Sequence, residues 1–264
     1  MRKVFGWVLL FLMSTIVSFG QKAKPVFEVV PLGVYGGIDE RNLSAYLVAP
    51  IGTKEYVCLD AGTVHSGIEK AIEKGTFSVP SSTVLRQYIK GYCISHAHLD
   101  HVSGLIINSP ADSTKTVYAI APAMKMMQNH YFNDQTWANF GDEGFGKPLK
   151  KYHFETLSFG KTIPISNTSM TVQAFPLSHV NPYESTAFLI KKDNNAILYL
   201  GDTGPDSVEK TTNLADLWKA IAPLIQKQEL KGILIEVSFP NEQPDAFLFG
   251  HLTPKHLLKE MQVL

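Results

Sequence analysis

The stretch that most limits what this chain can become is Ser95-His96-Ala97-His98-Leu99-Asp100-His101, set between a strand-like run, Gly91–Ser95, and an apolar helical start at Val102–Ile107. Three imidazoles and a carboxylate within six residues cannot be buried at a strand end without partners. Polar groups taken out of water uncompensated cost several kcal/mol in total. Side chains two apart on an extended backbone point the same way, so His96 and His98 can reach one ion. Asp100 and His101 lie where the chain turns into the next helix and can reach a second. Imidazole and carboxylate donors suit zinc, iron or manganese, and the absence of a nearby cysteine argues against a thiolate-rich structural zinc site.

A hydrolytic centre needs more ligands than this run supplies. His179 follows the predicted strand Met170–Phe175, in Pro176-Leu177-Ser178-His179. Asp202 follows Ala196–Leu200, in Gly201-Asp202-Thr203-Gly204, and His251 sits in Phe249-Gly250-His251-Leu252-Thr253. Each stands just past a strand or in a glycine turn, where side chains converge on one rim of a sheet. Taken singly, each reads more simply as a cap, a turn residue or a satisfied polar group. Their order behind the run makes them candidate ligands.

The rest of the chain alternates β-branched runs with amphipathic stretches. Strands are predicted at Phe27–Leu32, Ala45–Ala49, Glu55–Leu59, Val117–Ala121, Thr186–Lys191 and Gly232–Val237, besides those already named. Helical spacing marks Ser66–Lys74, Ser81–Lys90 and Leu214–Gln226, the last with Leu217, Ile221 and Leu224 on one face. Thr253 and Pro254 open a final helix to Leu264. Alternation of this kind points to an α/β fold of sheets covered by helices. No repeat or Pro/Ser-rich linker interrupts it, so residues 21–264 read as one domain. Met124–Lys147, rich in aromatics among Asn, Asp and Gly, reads either as a lid loop or as an extra turn packed into the core.

Residues 1–20 differ. Arg2 and Lys3 precede the mostly apolar Val4–Val17, and Ser18 and Gly20 offer a cleavage site before Gln21. That is the layout of a signal peptide and is short for a membrane span; an uncleaved anchor is the alternative. The expectation is an exported protein, periplasmic or secreted, with no membrane span after cleavage. Its two cysteines, Cys58 and Cys93, lie in apolar runs and read as buried free thiols. The 24 basic and 24 acidic residues cancel, so no nucleic acid is expected as partner. A small anion remains compatible, because bound metal supplies positive charge locally.

With Asp60 in Cys58-Leu59-Asp60-Ala61-Gly62 at the head, the ordered set of strand-end Asp, His-x-His-x-Asp-His, His, Asp and His resembles the metallo-β-lactamase superfamily from about Gly33 to His256. The resemblance implies a four-layer αββα sandwich. The continuation Val102-Ser103-Gly104-Leu105-Ile106-Ile107-Asn108-Ser109-Pro110 is similar to the signature of the class II 3',5'-cyclic nucleotide phosphodiesterases. Phe132–Phe140 and Ile235–Asn241 are similar to two further family segments, with Ala138 standing where the family usually carries Pro. The family's fold closes on a strand after the last His-containing helix, and the expected sandwich here lacks that strand.

The resemblance implies two divalent cations, zinc first with manganese or iron as alternatives. His96, His98 and His179 would hold one and Asp100, His101 and His251 the other, with Asp202 bridging. Asp100, Asp202 and His251 are the expected catalytic residues. Asp60 would brace a ligand imidazole; Glu236 would do likewise near His251 or form a strand-end ion pair. Trp137 and Phe140 would stack on a purine or pack in the core, and Ser238 and Asn241 would touch substrate. The implied reaction is hydrolysis of cyclic AMP and/or cyclic GMP, a small-molecule substrate, to the nucleoside 5'-monophosphate. Two rivals are another hydrolase on this fold (RNase Z-like nuclease, arylsulfatase or lactonase) and a nucleotide-binding relative without turnover. The oligomeric state stays open, a dimer included.

Overall fold

Two sheets lie face to face in a computed structural model that describes residues 24–264, so the expected signal segment 1–20 lies outside the described residues. The first sheet runs in the order β1 (Phe27–Gly33), β2 (Ala45–Pro50), β3 (Tyr56–Leu59), β4 (Ile89–Cys93), β5 (Lys115–Ile120), β6 (Tyr152–Leu157). Its first three strands are antiparallel, and β3 to β6 are parallel. Parallel neighbours need crossovers, and helices supply them. These are α1 (His65–Glu73) and α2 (Ser81–Thr83) before β4, α3 (Leu99–Asn108) before β5, and α4 (Ala121–His130) before β6.

The second sheet holds β7 (Thr162–Pro164), β8 (Thr171–Ser178), β9 (Glu184–Lys192), β10 (Asn195–Leu200) and β11 (Leu230–Leu234), with β7 and β11 at its edges. It is antiparallel except for β10 and β11, which α5 (Asp206–Glu209) and α6 (Asn213–Gln226) connect in parallel. The chain then passes through a turn of 3-10 helix at Asp245–Phe247 into α7 (Pro254–Met261).

Strand periodicity builds the layers. Along β9 and β10, Phe188, Ile190, Ile197 and Tyr199 join the core shared with the first sheet. The alternate residues Ala187, Leu189, Ala196, Leu198 and Leu200 pack instead with Leu214, Leu217, Trp218 and Ile221 of α6. Those four helix positions recur at helical spacing and form one apolar stripe. Trp218 is fully buried, and its indole donates to Glu260 Oε2 at 3.2 Å, tying α7 to the layer. Removing such a side chain costs about 3–5 kcal/mol. The second sheet is therefore covered on both faces. With α1 and α4 packed on the first sheet, the result is the expected αββα sandwich.

Several local expectations are corrected. Ser81–Lys90 is not one helix: α2 passes into a π-helical turn at Val84–Tyr88, and β4 begins at Ile89 because that residue pairs with Tyr56. Gly232–Val237 is strand only to Leu234, beyond which Glu236 gathers hydrogen bonds from other loops. Strands β6 and β7 were not among the expectations. Cys58 and Cys93 are free and buried as expected; Cys93 pairs with Leu59 across the ladder, so Cys58 faces the other way. Among the described residues, no helix is long and apolar enough to cross a membrane.

Candidate metal centre

Strands β3, β4, β8, β10 and β11 all end on one rim, and each passes a polar residue into the same gap. Asp60 follows β3, His96 and His98 follow β4, and Asp100 and His101 occupy the first turn of α3. His179 follows β8, Asp202 follows β10, and Glu236 follows β11. His251 arrives last, from the turn before α7.

His98 Nδ1 lies 3.1 Å from His96 Nε2 and 3.2 Å from His179 Nε2. Beside this group, Asp202 Oδ2 is 3.2 Å from His101 Nε2, 3.8 Å from His251 Nδ1 and 3.9 Å from His96 Nε2. Three triads result, each with donor atoms within 4.8 Å of one another: His96/His98/His179, His96/His101/Asp202 and His179/Asp202/His251. Asp100 stands at the margin, Oδ2 3.7 Å from His101 Nε2.

Hydrogen bonds behind the rings fix which nitrogens face inward. Ser95 Oγ donates to Asp60 Oδ2 at 2.7 Å and so must accept from His96 Nδ1, 2.9 Å away. The His96 Nε2 lone pair therefore points into the gap. His179 Nδ1 donates to the Gly250 carbonyl at 2.9 Å, which turns its Nε2 lone pair inward too. Gly250 has φ of +77°, and a Cβ there would strike His179 Nδ1, so only glycine brings its carbonyl this close. Burial holds His96, His98 and His179 below the ordinary imidazole pKa, with His96 furthest down. Neutral rings with converging lone pairs repel one another unless they share a cation.

Asp60 anchors the second group. Fully buried, it accepts from Ser95 N and Oγ, from Tyr199 Oη, and from His101 Nδ1 at 2.7 Å. Burial works to lower the His101 pKa, but Asp202 and Asp60 outweigh it and hold the ring well above its ordinary value. Burial likewise works to raise Asp202, and His101 overcomes it, keeping the carboxyl far below the usual range. Two buried carboxylates flanking one ring demand positive charge, and a divalent cation answers that demand. The donor set thus fits the implied metals. For His251, the nitrogen facing Asp202 is also 3.0 Å from Glu236 Oε1, so His251 takes a cation in exchange for that hydrogen bond.

The cavity above this gap measures about 630 Å³, and Tyr35, Tyr46, Asp202, Glu236, Phe239 and His251 are among its walls. Among the described residues, neither Lys nor Arg lines it.

The model of the class-II cAMP phosphodiesterases matches residues 26–264. The chain belongs to this family. A 3',5'-cyclic-nucleotide phosphodiesterase of Aliivibrio fischeri is 44% identical over 267 residues, covering 97% of this chain and 80% of the relative. A probable 3',5'-cyclic-nucleotide phosphodiesterase of Yersinia pestis is 44% identical over 256 residues, covering 93% and 74%. The crystal structure of unliganded yeast PDE1 matches with a TM-score of 0.80 over 90% of this chain and 82% of its own, at 24% identity, which shows the shared fold.

In this class-II family member, the structure gathers His96, His98, His101, His179, Asp202 and His251, with Asp60 within hydrogen-bond distance of His101 and Glu236 of His251. It divides the expected substrate residues. Ser238 lines the cavity, its N–H and hydroxyl both donating to Glu236 Oε2. Asn241 instead accepts from Lys255 N at 2.7 Å in the first turn of α7. Trp137 and Phe140 lie away from the cavity walls. The Trp137 indole donates to Ser109 Oγ at 3.0 Å, past the end of α3, a helix about 15 Å long. Phe140 packs on the core under Lys151 Nζ.

Two supports went unassigned in the sequence. Tyr183 stacks on His98, centroids 4.8 Å apart and planes 12° apart, and is the brace for the most exposed ligand ring. Tyr199 Oη reaches Asp60 and Ser44 Oγ. The signal for Tyr199 was a polar tip in an otherwise apolar strand, which must find a partner when buried.

Proposed function

We propose that this chain hydrolyses a 3',5'-cyclic nucleotide, cyclic AMP and/or cyclic GMP, to the nucleoside 5'-monophosphate, using two divalent cations of which zinc is the first choice and manganese or iron the alternatives. One observation carries the reading: the cavity ends on Asp100, Asp202 and Glu236 with no Lys or Arg among the described residues, while five imidazoles turn toward the same gap. A phosphodiester anion entering those walls meets repulsion unless cations occupy the imidazole groups. The names of the bacterial relatives and the match of the family model over the domain support the same substrate class.

When bound, a cation pair supplies a nucleophile from water at neutral pH and offsets charge on the phosphoryl oxygens. The chain's own residues do the rest. His96, His98 and His179 would hold one ion, Asp100, His101 and His251 the other, and Asp202 lies within reach of both groups. Asp60 keeps the His101 ring turned so that Nε2 faces the gap. Asp202, held ionised, is the hydrogen-bond acceptor at the centre and orients water there. Glu236 fixes the wall, taking His251, Ser238 and Leu252 N on one carboxylate.

An exported location, periplasmic or secreted, is part of the proposal, supported by Arg2-Lys3 and the apolar Val4–Val17. Zinc is favoured by the imidazole-rich donor set.

The test is direct. Purified chain beginning at Gln21 is loaded with zinc, manganese or iron(II) and offered cyclic AMP, cyclic GMP, bis-p-nitrophenyl phosphate and a lactone. Nucleoside 5'-monophosphate is the expected product. Lactone turnover without cyclic nucleotide hydrolysis, or release of the 3'-monophosphate, would overturn the reading.

A further inference from the structure

The geometry points to a nucleobase platform: Phe239 lines the cavity, Phe249 and Phe247 follow it in an aromatic ladder, and we propose that the purine of the substrate stacks on this ladder. The inference rests on the cyclic-nucleotide reading above and adds the residues that would hold the base.

Phe239 lines the cavity, its ring centroid 5.8 Å from that of His251. Phe249 continues outward at 6.5 Å from Phe239, and Phe247 follows at 6.4 Å from Phe249. The series thus runs from a candidate metal ligand to open solvent. Phe247 is 56% exposed and Phe249 61% exposed. Local backbone explains the display. The 3-10 turn Asp245–Phe247 buries Leu248 and is followed by Phe249 at φ of +50°, a conformation uncommon for a bulky side chain. Gly250, next in line, is the residue whose carbonyl fixes His179. One turn therefore sets a ligand ring and turns a phenylalanine out beside the cavity.

Tyr35 lines the cavity and is 59% exposed. The adjoining Gly36 lies so near the metal centre that a Cβ there would stand 3.2 Å from Asp100 Oδ2. The cavity accordingly has an anion-demanding floor, once cations are bound, and aromatic side chains, Tyr35 and Phe239, among its walls. A molecule with a phosphodiester at one end and an aromatic base at the other satisfies both. Stacking uses the π face that every base offers and discriminates weakly between bases. The ladder therefore fits adenine and guanine alike.

The test separates base from phosphate. Phe239→Ala and Phe249→Ala are assayed with cyclic AMP, cyclic GMP and methyl p-nitrophenyl phosphate, a diester without a base. Stacking predicts a roughly tenfold rise in KM for both nucleotides, with kcat/KM for the small diester preserved. Phe239→Leu keeps apolar bulk but loses the π face, and should behave like the alanine variant. Equilibrium binding of adenosine 5'-monophosphate against ribose 5-phosphate gives a readout independent of turnover: the parent should prefer the nucleotide roughly tenfold, and Phe249→Ala should bind the two alike. Unchanged nucleotide KM, or equal losses on the small diester, would overturn the ladder. So would a Phe247→Ala/Phe249→Ala chain that changes only its sedimentation, since the face would then join two copies. If the parent hydrolyses the small diester but neither cyclic nucleotide, the proposed function fails while the binding comparison still judges the ladder.

Discussion

Helix α3 has a buried cluster of charge at each end. Past its C-terminus, Asp112 Oδ2 accepts from Tyr92 Oη and Tyr152 Oη, both at 2.8 Å, and Oδ1 accepts from Ser113 N and Lys115 Nζ. Lys115 Nζ also donates to the Leu85 carbonyl at 2.7 Å. Burial lowers the Lys115 pKa, and Asp112 works against the shift. One negative and one positive charge meet there, and the surrounding hydroxyl and amide donors find acceptors. At the N-terminal end, imidazole lone pairs on His96 and His179 face a third nitrogen, and Asp202 faces three rings. Both clusters hold buried charge, yet only the second is electronically incomplete. Burial of polar groups does not by itself mark a site. An excess of inward-facing lone pairs and carboxylates over protons does.

The largest effect should come from emptying the incomplete end. Asp202→Ala should lose bound metal by elemental analysis and lose turnover altogether, against about two ions per chain in the parent. Full metal content with turnover would erase the distinction between the ends. Next is the closed end: Asp112→Ala strands a buried ammonium and two phenols, and urea unfolding should show a loss of about 3–5 kcal/mol. Metal content per folded chain should be unchanged; if metal is lost instead, the two clusters are coupled through α3.

A smaller effect probes the boundary between support and ligand. Asp60→Asn keeps the shape but weakens the acceptor behind His101, and chelator competition should show metal affinity reduced about 10–100-fold. Unaltered affinity would assign Asp60 to the fold alone. Smallest is Trp137→Ala at the far end, which should leave KM for cyclic AMP where it was and shift the unfolding midpoint modestly. A raised KM would return Trp137 to the substrate.

These contrasts also explain what could be read in advance. The ligands were legible because coordination chemistry is local in sequence: His96, His98, Asp100 and His101 occupy one turn, and His179, Asp202 and His251 each terminate a strand or loop in a short motif. The strands beneath them were legible because β-branched apolar runs have few alternatives. Strand β6 was harder, since Tyr152 to Leu157 mixes buried aromatics with His153, Glu155 and Thr156. Trp137 and Phe140 read either as base contacts or as core residues, because an aromatic in a polar loop looks the same whether it faces a ligand or a core.

By itself the sequence determined the α/β layering and the order of the candidate ligands, because residue type and short-range period fix these before any long-range contact forms. Only the tertiary structure decided which nitrogen of each ring faces inward, that Tyr183 and Tyr199 brace the centre, and that Phe239 lines the cavity while Trp137 hydrogen-bonds Ser109. Those outcomes depend on hydrogen bonds and packing between segments up to 155 residues apart, as between Ser44 and Tyr199. Distances of that kind are set by how the sheets close on each other, and no local pattern carries them.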